Sequence, residues 1–362
     1  MPKHHPENER IKHRYMTFLR EAKRQSEASI DKAMAAIAAF EGYTSGKPFK
    51  RFHINQATGF KAQLTRQKAR RSGKPLSAAT MHATLSAMKA FIVWLADQSG
   101  YKSAVSYSDA EYFNISEKER AVATAEREQP VPTLEQIRHA IGAMPTGAEL
   151  QRRDRAVVPF ALLSGARDGA IASLKLKHVD LGRRTVLQDA REVRTKFSKT
   201  FTSSFFPVGD DVREIVEGWI AYLRIEKMWG DDDPLFPATK VAVGASRKFE
   251  AAGLHRKHWG SATPIRTIFR EAFNRIGQPY FNPHSFRKTL AQLGERVCRT
   301  PEQMKAWSQN LGHEQVLTTF TSYGAVDRYR QAEIMQLLAE PAEDRDAVID
   351  EVVKTLAKLQ RA

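Results

Sequence analysis

The stretch FNPHSFRKTLAQLGERV, residues 281–297, has the sequence of a helix with a polar first turn. Asn282 is a favoured N-cap residue, and Pro283 suits the first helical position because proline has no amide hydrogen to leave unpaired there. At about 100° per residue, the apolar side chains fall on one face. The spacing therefore predicts a helix with a buried stripe of Phe286, Leu290, Leu293 and Val297.

His284 and Arg287 lie on a different side of this predicted helix, roughly 60° apart. Both belong to the first turn, next to free backbone N–H groups and the positive end of the helix dipole. Such a place suits an anion such as phosphate. The alternative is a surface histidine and a surface arginine without a function.

The charge of the chain favours a polyanionic partner. The 362 residues include 57 Lys and Arg against 41 Asp and Glu, which gives a formal net charge of +16. Nucleic acid is the partner that such an excess indicates. An anionic membrane surface is the alternative, although no basic amphipathic helix stands apart from a folded context.

The sequence shows no sign of export or of a membrane span. No apolar run approaches the roughly 18 residues that cross a bilayer, and the N-terminal MPKHHPENERIKHRY has no apolar segment of a signal peptide. A single cysteine, Cys298, excludes an intramolecular disulfide and a thiolate metal cluster. The expected location is the cytoplasm, of the bacterial type with its nucleoid.

The first part of the chain is predicted to be a helical domain over 8–110. TMHATLSAMKAFIVWL has the spacing of an amphipathic helix, with a face of Met81, Leu85, Met88, Ile92 and Leu95. INQATGFKAQLTRQKARR predicts a further helix that ends in a basic run. The candidate DNA-binding residues there are Arg66, Lys68, Arg70, Arg71 and Lys74; a solvated helix face is the alternative.

A polar stretch without a periodic pattern, 111–131, is predicted to be a linker to a second domain over 132–335, with Pro130 and Pro132 at the boundary. Thr133 and Gln136 form a capping box at its first helix. Residues 185–208 have the composition of strands with a turn near FSKT, and 229–262 read as an irregular connection. The fold class is therefore mainly α with a small β-sheet in the second domain, followed by a C-terminal helix within 341–362.

Three further stretches carry candidate functional residues. LLSGARDGAIASLKL places Arg167 in a glycine-flanked turn after an apolar helix, and SKTFTSSFFPV places Lys199 near a hairpin turn. NLGHEQVLTTFTSYG contains His313 after Leu-Gly and then Tyr323. Each piece occurs by chance in many proteins. The order Arg, Lys, His-x-x-Arg, Leu-Gly-His, Tyr across a basic chain is far more specific.

With these motifs, residues 132–335 resemble the catalytic domain of the tyrosine recombinases, also called phage integrases. The resemblance implies a mixed α/β catalytic domain preceded by a helical core-binding (SAM-like) domain, the two forming a clamp on DNA. It also implies that Tyr323 attacks a phosphodiester and forms a 3′-phosphotyrosine. Tyr329 is a competing nucleophile.

The same resemblance implies a role for each remaining candidate. Arg167 and Arg287 clamp the transition-state phosphate, His284 and His313 donate hydrogen bonds to it, and His284 is also a candidate base. Lys199 protonates the leaving 5′-oxygen, with Lys196 as the competing lysine. No metal and no other cofactor is expected.

The chain departs from the family pattern at two places. The family often carries a Glu three residues after the first arginine, where this chain has Ala170, and Asp168 is a candidate replacement. The interval from His313 to Tyr323 is one residue longer than is commonest. The first departure leaves open which carboxylate supports Arg167. The second leaves open the exact position of the tyrosine.

The expected partner is double-stranded DNA, bound by a homo-tetramer on two sites with possible accessory DNA-bending or directionality proteins. The helix in 341–362 is predicted to dock on a neighbouring protomer; packing on its own domain is the alternative. Integration of a mobile element is the expected role. The rivals are dimer resolution, a type IB topoisomerase-like enzyme, a non-catalytic DNA-binding regulator, and a metal-dependent nuclease using GDDDP at 230–234.

Overall fold

The computed structural model describes residues 5–69, 73–125, 130–244 and 247–313, together with Gln331 and Met335. The chain divides into two units, Met1–Arg127 and Glu128–Ala362. Helices dominate both units, and the second unit contains small antiparallel sheets. The predicted fold class, mainly α with a small β-sheet, is confirmed.

The first unit is built from helices with short connecting turns. The π-helical turn Phe18–Ala22 continues the first helix, and 3-10 turns occupy Phe49–Arg51 and Tyr107–Phe113. The α-helices are Pro6–Thr17 (α1), Glu27–Tyr43 (α2), Ile54–Arg66 (α3), Ala78–Ala96 (α4) and Glu117–Thr124 (α5).

Aromatic side chains form the centre of this unit. Phe40 of α2 meets Phe60 of α3 edge-on, with 5.3 Å between ring centroids, and lies 5.7 Å from Phe113. Phe91 of α4 is fully buried and packs edge-on against Tyr15 of α1 at 5.1 Å. Since each ring buries a large apolar area, these contacts join α2 to α3 and to the turn Tyr107–Phe113, and α4 to α1.

The predicted apolar face of α4 is present in the structure. Leu85, Met88, Ile92 and Leu95 are buried, and Met81 packs against the same core at its edge. By length and composition α4 also resembles a membrane span. One face of α4 is buried in the core of this unit, which is typical of an amphipathic core helix instead.

The stretch predicted as a linker, 111–131, is partly built into the first unit. Phe113 is buried in the aromatic core, and α5 follows it after a capping box at Ser116. A short 3-10 turn has no long apolar repeat, so hydrophobic periodicity cannot reveal it.

The predicted helix does not continue through Gln67–Ala69, and we call Arg66, Lys68 and Lys74, which flank a turn there, the basic turn. The helix ends at Arg66, and Gln67 has extended dihedral angles. Leu76 N–H donates to Gln67 O at 3.1 Å, and Gly73 adopts a positive φ of 64°. The extended conformation of Gln67 ends the helix, and Lys68 then forms an antiparallel bridge with Pro75.

The second unit is built around the C-terminal half of one helix, Glu149–Ser164 (α7). Residues Ala156 to Ser164 along it are all buried, and it packs against several of its neighbours. The other helices are Leu134–Gly142 (α6), Asp168–Ile171 (α8), Asp210–Ala221 (α9), Thr263–Arg275 (α10), Pro283–Val297 (α11) and Pro301–Asn310 (α12). Capping of α6 by Thr133 and Gln136 is confirmed, with 3.2 Å from Gln136 N to Thr133 Oγ1.

A three-stranded antiparallel sheet lies in this unit, with strands Val179–Asp180 (β1), Thr185–Gln188 (β2) and Phe201–Ser204 (β3). Val186 pairs with Ser203, and both are buried. The predicted strands in 185–208 are therefore present but shorter. The loop 189–200 joins β2 to β3.

The region 229–262, predicted to be irregular, contains a second antiparallel pair. Strands Pro237–Val243 (β4) and Phe249–His258 (β5) form a hairpin with two irregularities in register. Much of the hairpin is exposed on both faces, including the Phe249 side chain at 81%. Without a buried face the hairpin lacks the alternation that predicts a strand.

Packing of α12 on α11 requires a glycine. A Cβ added to Gly294 would lie 2.6 Å from Trp307 Nε1, the atom that donates to Leu290 O at 2.9 Å. We expect Gly294→Ala to lower the free energy of unfolding by about 1–3 kcal/mol, because the indole must move and lose this hydrogen bond. Urea denaturation followed by tryptophan fluorescence measures the change.

Gly142→Ala is the matched control. Gly142 lies in the last turn of α6, and a Cβ there has no neighbour within 4 Å. Alanine favours helix more than glycine, so this variant should be as stable as the wild type or more stable. Equal stability of Gly294→Ala and the wild type would contradict the described packing.

Candidate active site

The turn after α7 places Arg167 and requires glycine at 165. Gly165 adopts a φ of 61°, and a Cβ there would lie 3.0 Å from the Phe206 ring and 3.1 Å from Leu311. Arg167 then caps α8 with extended dihedral angles and is half-buried. The Ser-Gly-Ala-Arg motif is thus a tight turn between two helices, and it fixes where the guanidinium begins.

Arg287 is buried at this turn. Its Nη1 donates to Gly165 O, and its Nη2 donates to Leu311 O at 2.5 Å. Only 4% of the residue is exposed, so the expectation that it lies away from the core is wrong. The predicted helical angle is right, but the ends of α7 and α12 cover that side of α11, and their carbonyls accept from both terminal nitrogens of the guanidinium.

The predicted start of α11 is confirmed, and its stripe is correct except at the end. Asn282 Oδ1 accepts from Ser285 N–H at 3.1 Å, with Pro283 in the first turn. Phe286 and Leu290 are fully buried, and Leu293 packs at the core edge. Val297, in contrast, is 44% exposed, since it occupies the last helical position.

His313 is held by the glycine before it and by Arg287. Gly312 has a φ of 71°, and a Cβ there would lie 2.7 Å from the Phe201 ring. Arg287 Nη2 lies 3.0 Å from His313 Nε2. Because a guanidinium only donates, this ring nitrogen accepts, which assigns the proton of neutral His313 to Nδ1.

The two candidate histidines are kept neutral. Burial, followed by the charges of Arg287 and Arg167, lowers the pKa of His313 to about 4. The same causes, in the same order, lower the pKa of His284. All the charges named for either ring are positive, with Lys196 contributing to both. Arg167, His284, Arg287 and His313 therefore converge on one cationic site, which suits a phosphate.

Both candidate lysines lie on the loop 189–200. The Lys196 ammonium stands 4.7 Å from the centroid of the exposed Phe197 ring, while Lys199 is half-buried just before β3. Phe197 and Ser198, between them, have positive φ values of 59° and 51°. Two consecutive left-handed residues make a tight reversal at the predicted FSKT turn. The charge of Lys196 contributes to the lowered pKa of both histidines, whereas the choice between the lysines stays open.

Asp168, the candidate replacement for the family Glu, has another partner. Its Oδ2 accepts from Arg266 Nε of α10 at 2.7 Å, and its Oδ1 accepts from Gly169 N–H at 2.8 Å. Ala170 is buried. Sequence reasoning missed Arg266, because an arginine on an amphipathic helix is ordinary.

The aspartates of GDDDP take part in ion pairs. Asp231 pairs with Arg224, Asp233 with Arg256, and Asp232 with two lysines, which lower the pKa of Asp232 to about 2. Among the described residues, no group of three or more His, Cys, Asp or Glu side chains is placed to hold a metal ion.

Several predicted residues lie outside the described part of the chain. They are Arg70, Arg71, Tyr323, the competing Tyr329 and the C-terminal helix in 341–362. Of the basic run, Arg66, Lys68 and Lys74 are described, and all three are exposed. Their assignment to DNA binding stays a prediction.

The sequence profile of the phage integrase family matches residues 131–330. The chain belongs to this family. The resemblance to tyrosine recombinases is thereby confirmed, and family and fold make this integrase a DNA recombinase, with site-specific recombination as its class of activity. No curated protein matches the chain in sequence.

Solved structures of DNA-bound integrases share the fold. A lambda integrase fragment, solved as a dimer bound to a COC′ core site, is 13% identical with a TM-score of 0.61; the match covers 88% of this chain and 96% of that one. The Tn1549 transposon integrase in complex with transposon right-end DNA is 13% identical with a TM-score of 0.55, covering 91% and 99%. At these identities the likeness shows the fold alone.

The neutral state of His313 predicts how stability depends on pH. Its folded pKa of about 4 lies below the ordinary 6.5, so the unfolded chain binds this proton more readily between those values. The neutral His313 ring contributes its full stabilisation of the folded state above pH 6.5. This stabilisation is lost as the pH falls towards 4. We expect His313→Gln, which keeps an acceptor for Arg287, to reduce the loss on acidification by about 1–2 kcal/mol.

Urea unfolding at pH 7 and at about pH 4.5 measures this difference. His284 is present in both proteins, so its own titration cancels in the comparison. An identical fall in stability for His313→Gln and the wild type would contradict the described environment of His313.

Proposed function

We propose that this integrase cuts and rejoins DNA through a 3′-phosphotyrosine at Tyr323, in the service of a mobile genetic element. The observation that carries the proposal is the fixed position of Arg287. Its guanidinium is held by Gly165 O, Leu311 O and His313, beside Arg167 and His284. A phosphodiester is the reactant that such a group of cations and neutral imidazoles suits best.

The arginines neutralise the phosphorus centre. In the transition state, negative charge gathers on the non-bridging oxygens, and forked guanidinium groups donate to such oxygens with permanent charge. Arg287 needs no reorganisation, because its buried hydrogen bonds already set its plane. Arg167 approaches from the turn that Gly165 fixes. In this proposal the two side chains do what a metal ion does in other nucleases.

The histidines and a lysine move or share protons. His284 is neutral near pH 7, since its pKa is lowered, and it accepts the proton of the Tyr323 hydroxyl. His313, also neutral, donates a hydrogen bond to the phosphate. Lys199 protonates the departing 5′-oxygen, with Lys196 as the alternative. The covalent intermediate conserves the bond energy, so a second strand is joined without ATP.

The proposed partner is double-stranded DNA, bound by a homo-tetramer on two sites. The net charge of +16 supports a polyanionic partner, and the lambda and Tn1549 integrases of similar fold were solved on DNA. The second of these belongs to a transposon, which supports a mobile element as the context. We assign the exposed basic turn after α3 to DNA, and the helix in 341–362 to a neighbouring protomer.

The covalent intermediate is tested by trapping. The full chain is incubated with sheared DNA of its source organism, denatured, and the protein-linked fragments are sequenced to find the site. A nicked duplex of that site should then give a protein–DNA band on denaturing gels, formed by the wild type and not by Tyr323→Phe. The phenol oxygen alone is removed, so DNA binding by the variant should persist.

Tyr329→Phe is the matched control and should retain the band. The band should also form in EDTA, since the proposed chemistry uses fixed cations. Loss of the band in EDTA, or its persistence in Tyr323→Phe, would overturn the proposed mechanism.

The basic turn predicts a salt-dependent contribution to binding. Replacing Arg66, Lys68 and Lys74 with alanine should weaken DNA binding uniformly across sequences, because interactions with phosphate carry no sequence information. For each phosphate that is no longer bound, the slope of log K against log salt should fall by roughly 0.9. Fluorescence anisotropy with duplex DNA at several salt concentrations measures that slope.

Lys102→Ala is the control in the same unit, where Lys102 pairs with Asp97 on the surface. It removes one positive charge outside the proposed DNA-binding turn. An unchanged slope in the triple variant would remove the basic turn from the DNA interface.

A further inference from the structure

The loop 189–200 carries both candidate lysines, and its two arms are tied together. The strands beneath it close with the pair Gln188 and Phe201. Above them, Ala190 N–H donates to Thr200 Oγ1 at 3.0 Å. A displacement of the first arm therefore moves the second arm and the lysines between them.

Glu192 holds the first arm to the body of the unit. Its Oε1 accepts from Lys177 Nζ at 2.9 Å, and its Oε2 lies 3.1 Å from His178 Nε2 and 3.3 Å from Lys175 Nζ. Asp232 accepts from the same two lysines, at 3.0 Å from Lys175 and 2.9 Å from Lys177. We name Glu192 with Lys175, Lys177 and His178 the Glu192 clamp.

The imidazole of the clamp has a defined tautomer. His178 is 3% exposed, and its Nδ1 accepts from Lys175 N–H at 2.9 Å. The proton of the neutral ring is therefore on Nε2, where it donates to Glu192. A single exposed ion pair contributes little, but three donors on one carboxylate, one of them buried, restrict where the carboxylate lies.

A second anchor follows directly along the chain. Arg194 N–H donates to Ser173 Oγ at 2.9 Å, and the guanidinium donates to the carbonyls of Ala172, Trp259 and Gly260. Ser173 follows α8, the helix that Arg167 caps. The arm is thus fixed relative to Arg167, and the charge of Lys196, two residues beyond Arg194, reaches His284 and His313.

We propose that Glu192 is a positioning residue for the lysine general acid, an inference that rests on the proposed function. In cleavage, the bond from phosphorus to the Tyr323 oxygen forms and the bond to the 5′-oxygen breaks. The lysine ammonium transfers its proton to that oxygen, and the tyrosine proton passes to the base. In this proposal the Glu192 clamp acts on the lysine through the loop and takes no part in making or breaking these bonds.

The test distinguishes a defect in proton donation from any other defect of the site by changing the leaving group. A duplex with sulfur in place of the bridging 5′-oxygen releases a thiolate, which needs no proton because thiols are far more acidic than alcohols. We expect Glu192→Gln to slow single-turnover cleavage of the oxygen duplex by about 10- to 100-fold, as misplacement of a reacting group does. Cleavage of the sulfur duplex should stay near the wild-type rate.

Two matched variants control the comparison. Arg191→Ala removes an ion pair with Asp189 that lies within the loop and does not reach the body. Glu214→Gln makes the same change of charge at an exposed position of α9. Both should cleave the two duplexes at wild-type rates, and thermal melting of every variant reports any loss of fold.

The outcomes distinguish the inference from the proposed function. An equal loss on both duplexes, or no loss on either, shows that Glu192 does not position the acid. Lys196→Ala and Lys199→Ala are run beside it. If one of them is slow with oxygen and restored by sulfur while Glu192→Gln is not, only the clamp inference fails. If neither lysine variant is slow, the general acid of the proposed function is wrong.

Discussion

The candidate site depends on one buried arginine. Arg287, at the start of the second turn of α11, donates to carbonyls at the end of α7 and the end of α12, and its Nη2 also lies within hydrogen-bond distance of His313. Burying a guanidinium is unfavourable unless its donors are satisfied, so three separate segments must reach the same point. As a result, Gly165 lies next to the Leu-Gly-His turn, and Arg167 follows two residues after Gly165.

Two glycines allow these segments to come so close. Gly165 and Gly312 both have left-handed φ values, and a Cβ at either position would collide with an aromatic ring, of Phe206 or Phe201. Both rings belong to or follow β3. The small sheet therefore packs against the turns that carry the polar groups, which explains why a mainly helical unit contains strands next to the candidate site.

The electrostatics of the site follow from the same crowding. Burial, and after it the charges of Arg287 and Arg167, lower the pKa of both imidazoles, so each ring is neutral near pH 7. The site thus combines permanent positive charge with neutral donors and acceptors. The turn at Phe197 and Ser198 adds two left-handed non-glycine residues beside the lysines, a conformation that costs free energy and is typical of functional loops.

The amino-acid sequence was enough to predict the class of fold, the α4 face, the capped start of α11 and the order of the polar motifs, because helical period, caps and glycine turns are local properties. It could not predict that Arg287 is buried, since the carbonyls that cover it come from distant parts of the chain. Nor could it reveal the exposed β4–β5 hairpin, which has no apolar face, or the partner of Asp168 on α10. Tertiary structure decided those features, because each depends on which segments of the chain are in contact. A periodic pattern of apolar residues predicts that a helix face is buried, but not which segment packs against it.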